Sequence, residues 1–293
     1  MLQSTHGTHP KEPHDTNTYT LGEIGMHNIV IASLPSERYG TNNASLVANN
    51  MLRSFPSITV LLGVGIGGGI PKDVDIRLGD VVVSNRVIQY DFGKSLPGGR
   101  FKMTSCPREP PVELGTAVTA LRAVSDLESR LIPTILSEIC ENNPELLQYT
   151  DPSLLRDELF EGTYDHMQQN SNCDDCDRHR LVNRSTRKDT YPRIHYGIIA
   201  SGNRVIKDGT ERDRLAHELN AICFDMEAAG LMDVKSCLVI RGISDYSDSH
   251  KNDEWHEYAA LTAAAYAKAL LSEMPVNGVK DALKVVVPKS GTC

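Results

Sequence analysis

The segment from Ile58 to Ile70 constrains the fold more than any other part of the chain. It contains no charged residue over 13 positions, and five of these are glycines. A stretch so short and so broken by glycine does not span a bilayer. The continuous run Ile58–Val64 instead predicts a strand buried on both faces. The following glycines, Gly65–Gly69, indicate a tight turn or a close backbone approach.

Strand-like and helix-like segments alternate along most of the chain. Their order predicts an α/β fold with three layers, in which a mixed sheet is flanked by helices on both faces. The expected strands and helices are Tyr19–Ile24 and Ile29–Leu34 (a hairpin), Thr41–Phe55 (helix), Gly79–Tyr90 (strand), Val112–Ile139 (one helix, or two broken near Pro133), Ile194–Ser201 (strand), Glu211–Leu219 (helix), Ala221–Phe224 (strand), a helix opening near Met226, Leu238–Ile243 (strand) and Trp255–Leu271 (helix).

Composition divides the chain into a domain with two tails. Residues 1–18 are polar and predict a disordered tail, and residues 273–293 predict a C-terminal tail. The domain between them, residues 19–272, contains a charge-dense stretch at about 151–193 that is short of aliphatic residues. We interpret this stretch as a partly ordered surface insertion.

Charge and cysteine content narrow the class of protein. There are 38 acidic and 30 basic residues, which give a formal net charge of −8. This balance disfavours a nucleic-acid binder, because such proteins present a basic surface to phosphates. The first 18 residues lack the apolar core of a signal peptide, and the seven cysteines are typical of a reduced set. We therefore expect a cytoplasmic protein without a membrane segment.

Three clusters follow predicted strands, where α/β proteins bind their ligands. They are the glycine run Gly65–Gly69, the segment Asp225-Met226-Glu227, and the pair Ser244-Asp245. Each also has a simpler interpretation. The glycines could form only a turn, and the carboxylates could only complement a helix dipole or cap a helix.

Taken in order, these clusters resemble motifs of the nucleoside phosphorylase superfamily. The resemblance lies in Val64-Gly65-Ile66-Gly67-Gly68, Leu78-Gly79-Asp80-Val81-Val82, Ile199-Ala200-Ser201-Gly202-Asn203, Asp225-Met226-Glu227 and Ile243-Ser244-Asp245. It covers about residues 15–272. Tyr90-Asp91-Phe92-Gly93 and the segment from Asp245 to Asn252 are most similar to the purine nucleosidase-type domains of fungi, which often precede NACHT or ankyrin-repeat regions. Methylthioadenosine/adenosylhomocysteine nucleosidases are more distant relatives.

The resemblance implies cleavage of a purine nucleoside at its N-glycosidic bond. Asp245 would be the general acid that protonates purine N7, and Ser244 would orient it. Glu227 would accept hydrogen bonds from the ribose hydroxyls. The remaining implied contacts are Met226 against the sugar, Val205 and Ile206 at the base, and Gly67 and Gly68 as a cradle, although Val205 could equally be a core residue.

Two departures from the family pattern bear on the reaction. Gly63 and Ile66 occupy the positions of the Arg and the Ser or Thr that bind phosphate in phosphorylases, which favours hydrolysis. Nothing apolar precedes Tyr19, so we expect the family's first strand and its water-positioning Glu to be missing. The open alternatives are a catalytically impaired nucleoside-binding module, and a phosphorylase that uses residues such as Arg38 or Arg204.

A further cluster in the insertion has the residue types of a zinc site. His166, Cys173, Cys176 and His179 form an H-x6-C-x2-C-x2-H pattern, of which only the C-x2-C half has a recognised ligand spacing. The pattern predicts a structural zinc, and the alternative is a solvated loop with two incidental thiols.

For catalysis itself we expect no cofactor. The predicted partners are a small purine nucleoside and, by resemblance, further copies of the chain in a homo-oligomer, without nucleic acid or membrane.

Overall fold

A five-stranded sheet lies at the centre of the computed structural model, which describes residues 2–123, 128–167 and 172–275. The strands are β1 (Ser4–Thr5), β2 (Tyr19–Ile24), β3 (His27–Ala32), β4 (Leu62–Gly69), β5 (Val81–Gln89), β6 (Gly93–Leu96), β7 (Arg100–Met103), β8 (Ile194–Ser201), β9 (Ala221–Asp225) and β10 (Leu238–Asp245). The helices are α1 (Thr41–Ser54), α2 (Val112–Ala123), α3 (Glu128–Asn142), α4 (Gly209–Leu219), α5 (Ala228–Val234) and α6 (His256–Glu273).

The central sheet is mixed and closes on itself in the order β10-β4-β9-β8-β5. The pairs β10–β4, β9–β8 and β8–β5 are parallel, whereas β4–β9 and β5–β10 are antiparallel. The β4–β9 pairing joins Gly68 to Phe224 and Gly69 to Cys223. Strand β4 therefore lies between the two strands whose ends carry Asp225 and Asp245.

Helices cover this sheet on both sides, as the predicted three-layer α/β architecture requires. One core cluster packs residues of α2, α3 and α6 against β5 and β10, with Tyr266 and Leu270 fully buried. A second cluster packs residues of α1 and α5 against β5, β8, β9 and β10, and a third packs α4 against β8 and β9. No helix within the described ranges is both long and apolar enough to cross a membrane.

The N-terminal region differs from the predicted disordered tail. The hairpin forms as expected from β2 and β3, and β1 adds to it antiparallel to β2. Asp15 and Asn17 are buried, and the Asp15 carboxylate accepts hydrogen bonds from the Ser54 and Tyr19 hydroxyls. Residues 2–18 thus pack on the fold, because polar side chains tie them to α1 and the hairpin. Among the described residues, the strands of the central sheet begin with β4 at Leu62.

The glycine run belongs to a strand rather than to a turn, so the close backbone approach is the predicted alternative that the structure shows. Strand β4 begins at Leu62, later than expected, and continues through Gly69. A Cβ at Gly65 would lie 3.2 Å from Arg241 Nη1, and a Cβ at Gly67 would lie 2.7 Å from the Phe224 carbonyl oxygen. Glycine is needed here because Arg241, on β10, passes across β4 towards β9.

We predict opposite stability effects for two Gly-to-Ala substitutions. Gly67→Ala should lower the free energy of unfolding by about 1–3 kcal/mol, because its methyl group would lie too close to the Phe224 carbonyl oxygen. Gly115→Ala in α2 should raise it by about 0.5–1 kcal/mol, since a Cβ there meets no atom within 4 Å and alanine favours helix. Urea unfolding of both variants and of the wild type measures these changes in the free energy of unfolding. Equal effects would contradict the packing argument.

The helix is not broken at Pro133, because Pro133 lies inside α3. Residues 124–127, between the described bounds of α2 and α3, lie outside the described part of the chain. The predicted C-terminal tail also lies mostly outside it, because the description ends at residue 275.

The described parts of the insertion, residues 151–167 and 172–193, are irregular but firmly attached. They contain short 3₁₀ turns, and Leu159, Phe160 and Cys176 are buried. The buried Asp80 carboxylate accepts two hydrogen bonds from the Arg187 guanidinium, at 2.7 and 2.8 Å. The charges of Arg187 and His195 help lower the pKa of Asp80 against the effect of its burial. The insertion is therefore anchored to the core, unlike the loosely ordered surface loop that its composition predicts.

Candidate functional site

Asp245 ends the fully buried strand β10 and is itself 4% exposed. Its Oδ1 accepts a hydrogen bond from the Ser247 backbone N–H at 2.8 Å. Its Oδ2 accepts from Ser244 Oγ at 3.1 Å and from Lys251 Nζ at 2.7 Å. Three donors therefore fix the orientation of this carboxyl group, and a proton it carries or releases would sit at a defined place.

Asp245 also borders a cavity between the loop that follows β10 and the insertion. Ser244 and Asp245 line it from the end of β10, Lys251 lines it from the loop, and Glu158 and Cys173 line it from the insertion. Ser244 is buried, and its hydroxyl faces both Asp245 and the Gly67 carbonyl oxygen. This arrangement is compatible with the predicted orienting role of Ser244.

Glu227 lies between β9 and α5 and is only partly exposed. Its Oε1 accepts a hydrogen bond from the Gly40 N–H at 3.3 Å, and its Oε2 lies 3.8 Å from Arg241 Nη2. Burial raises the pKa of Glu227, although the charge of Arg241 opposes this rise. Met226, the predicted sugar contact, is partly exposed beside it.

Asp225 and Arg241 form a buried ion pair that the sequence analysis did not identify. Arg241 Nε and Nη2 donate to Asp225 Oδ2 at 3.0 and 2.5 Å, and Arg241 Nη1 donates to the Gly63 carbonyl oxygen at 3.0 Å. Asp225 Oδ2 also accepts the Ala228 N–H at the start of α5, which agrees with the simpler, helix-capping interpretation. An arginine within the apolar run Leu238–Ile243 was the available signal.

The space that a Cβ would take at Gly67 or Gly68 is occupied by the protein's own atoms. A Cβ at Gly68 would lie 1.9 Å from Ser247 Oγ and 2.8 Å from Asp245 Oδ1. At Gly67 it would meet the Phe224 carbonyl oxygen. These glycines allow Asp245 and β9 to approach β4, and any ligand contact by them would use the backbone alone.

Val205 and Ile206, the two predicted contacts to the base, differ in their exposure to solvent. Val205 is 46% exposed, so it is not the core residue of the simpler interpretation. Ile206 is 8% exposed and belongs to the core cluster around α4, so its side chain packs inside the protein. The preceding Asn203 accepts hydrogen bonds from the Thr41 N–H and hydroxyl and donates to Asp91, which joins this loop to the start of α1.

The positions that would bind phosphate in a phosphorylase are occupied or apolar. A Cβ at Gly63 would lie 2.7 Å from Leu231 Cδ1, so a longer side chain there would require the end of the Leu231 side chain to move. Ile66 has no polar side-chain atom. Arg204, an alternative phosphate ligand, is exposed and lies 3.5 Å from the Glu211 carboxylate.

Three of the four predicted metal ligands come together. One ligand atom each from His166, Cys173 and Cys176 lies within 4.8 Å of the other two. His179 lies in an exposed 3₁₀ turn and is not a member of this group. The turn Cys173–Asp175 brings the two cysteines together, with the Cys176 N–H donating to the Cys173 carbonyl oxygen.

Residues 2–274 match a family model described as phosphorylase superfamily. The chain is 46% identical over 288 residues to a nucleotide-binding leucine-rich repeat (NLR)-like protein from Hyaloscypha variabilis, an alignment that covers 96% of this chain and 28% of that protein. It is 25% identical to a 5′-methylthioadenosine/S-adenosylhomocysteine nucleosidase from Mycobacterium bovis, with 87% and 84% covered. It is 29% identical to the ATP nucleosidase Cap17 from Escherichia coli, with 80% and 39% covered.

Solved structures share the same architecture. A 5′-methylthioadenosine/S-adenosylhomocysteine nucleosidase from Neisseria meningitidis has a TM-score of 0.59 at 15% identity, with 92% of this chain and 90% of that chain covered. A likeness at this identity shows the fold, and it confirms the predicted mixed α/β class.

Proposed function

Because the chain belongs to the phosphorylase superfamily, we propose that it hydrolyses the N-glycosidic bond of a purine nucleoside, with Asp245 as the general acid. The observation that carries this proposal is the buried Asp245 carboxyl group, held by three donors at a cavity wall. The relatives described as nucleosidases support the reaction class.

In this mechanism Asp245 passes its proton to purine N7. The C1′–N9 bond then breaks, its electron pair leaves with the base, and water adds to C1′. The water releases a proton to solvent, and Asp245 takes up another before the next cycle. Lys251 Nζ and the Ser247 N–H stabilise the carboxylate while it is charged. No cofactor is needed for these steps.

Glu227 serves the sugar in this proposal. An ionised carboxylate accepts hydrogen bonds from both ribose hydroxyls, and Arg241 lies close enough to favour the ionised form. Glu227 follows β9 and Asp245 ends β10, and β4 lies between these two strands. The two carboxyl groups therefore lie on opposite sides of β4. That placement suits a ligand with a sugar at one end and a base at the other.

Hydrolysis is favoured over phosphorolysis by two side chains. Leu231 fills the space where a phosphate-binding arginine would begin, and Ile66 offers no hydroxyl. Water therefore remains as the nucleophile that this chain can accommodate.

The test is release of free base from adenosine, guanosine, inosine and 5′-methylthioadenosine, with ATP as a further substrate, each with and without phosphate. We expect release that does not depend on phosphate. Release only with phosphate would overturn hydrolysis, and no release from a folded protein that still binds nucleoside would favour the binding module.

The pH dependence of the reaction should report Glu227. As pH falls through the raised pKa of Glu227, the carboxylate is protonated and loses acceptor capacity, so kcat/KM should begin to fall above the range of an ordinary glutamate. Glu227→Gln should remove this acid limb and lower kcat/KM about 10–100-fold, as expected for lost hydrogen bonds to a charged group. Glu218→Gln, at an exposed position, is the control. An unchanged acid limb in Glu227→Gln would exclude this role.

A further inference from the structure

The triad of His166, Cys173 and Cys176 is arranged as a metal site that lacks one ligand. In a tetrahedral zinc site, with Zn–S of about 2.3 Å and Zn–N of about 2.0 Å, neighbouring ligand atoms lie about 3.5–3.8 Å apart. The triad atoms, within 4.8 Å of one another, need to contract by only about 1 Å to reach this spacing.

His250 is the side chain best suited to complete the set. Its ring centroid lies 5.3 Å from that of His166, and two imidazoles on one tetrahedral zinc have centroids about 5 Å apart. His250 is 8% exposed, and neither of its ring nitrogens has a hydrogen-bond partner among the described residues. The Asp248 carboxylate lies 3.8 Å from its Nδ1, beyond hydrogen-bond distance. Burying such a ring without a partner is costly, and a metal bond would remove that cost.

Nearby carboxylates are engaged elsewhere. Glu158 and Asp248 line the same cavity as Cys173 and His250, but Glu158 pairs with Arg178, and Asp248 lies 3.4 Å from Arg212. The backbone N–H of His166 donates a hydrogen bond to Ser249 Oγ at 2.9 Å. This bond places the insertion directly against the residue before His250. Phe160 stacks on the His250 ring at 4.2 Å and covers this side of the site.

We propose that His166, Cys173, Cys176 and His250 bind one zinc ion, which joins the insertion to the loop that follows β10. Two thiolates and two imidazoles form a common structural zinc set. The ion would hold the insertion beside the same loop that carries Lys251 and begins at Asp245. The proposal is independent of the reaction proposed above, because its test measures metal and not activity.

The test is the zinc content of the purified chain, measured by inductively coupled plasma mass spectrometry after expression with zinc and desalting. We expect about one zinc per chain in the wild type. Cys176→Ser and His250→Gln should each bind about a tenth of this or less. The matched controls are His179→Gln and Cys106→Ser, an exposed histidine and an exposed cysteine outside the site, and both should retain the ion.

Cobalt(II) titration of the wild type gives a readout that does not depend on whether variants fold. Thiolate-to-cobalt charge transfer and the visible bands of tetrahedral cobalt are expected. A wild type that binds neither zinc nor cobalt, or that holds Cys173 and Cys176 as a disulfide, would overturn the site. Loss of zinc in His179→Gln, or full retention in a folded His250→Gln, would overturn the assignment of His250.

Discussion

Asp245→Asn is expected to lower kcat for base release about 10²–10⁴-fold, the usual contribution of a general acid. The amide keeps the size of the side chain and an oxygen for the Ser247 N–H, but it has no acidic proton for purine N7. The loss should therefore appear in kcat, with little change in nucleoside binding.

Initial rates of base release, with nucleoside affinity measured by calorimetry, check this expectation. Asp253→Asn is the matched control, since it makes the same chemical change on the same loop at a side chain that is 85% exposed. Unfolding midpoints of both variants separate lost chemistry from lost structure. A folded Asp245→Asn protein with wild-type kcat would remove Asp245 from the mechanism.

Arg241→Met should lower the free energy of unfolding by about 3–5 kcal/mol, because it leaves Asp225 charged and unpaired inside the protein. Both side chains are almost completely buried, at 3% and 0% exposure. The same change should weaken substrate binding, since Arg241 also lies beside Glu227.

A double-mutant cycle with Asp225→Asn tests this explanation. The double variant should cost less than the sum of the two single variants, because a neutral amide tolerates the loss of the arginine and can still accept the Ala228 N–H. Arg214→Met, which breaks two exposed ion pairs in α4, should cost about 1 kcal/mol or less. Strictly additive effects at Arg241 and Asp225 would argue against a coupled pair.

Sequence predicts those features of this protein that depend on neighbouring residues. Periodicity is sufficient for most strands, with Ile194–Ser201 found at its predicted bounds. Ser244 and Asp245 are adjacent in the chain, so their contact needed no knowledge of the fold. Where the family motifs are local, the candidate site residues are found at the ends of β9 and β10 as expected.

Features that depend on strand order could not be predicted in the same way. The pairing of Arg241 with Asp225 requires that β4 lie between β10 and β9, which no local pattern specifies. The contact of His166 with His250 arises because the insertion folds back over the loop after β10. Spacing within the insertion favoured His179 instead, since spacing contains no information on which way an irregular segment turns.

Leu231 packs against Gly63, so the effect of a substitution at position 63 depends on the residue at position 231. The order of substitutions would therefore matter if a protein of this kind evolved from using water to using phosphate as the nucleophile. An arginine introduced first at position 63 would require the end of the Leu231 side chain to move, because its Cβ would lie 2.7 Å from Leu231 Cδ1. A lineage that first shortened Leu231 would leave a gap but no clash, and the arginine could then follow. Directed evolution of phosphorolysis in this scaffold should accordingly recover changes at position 231 before changes at position 63.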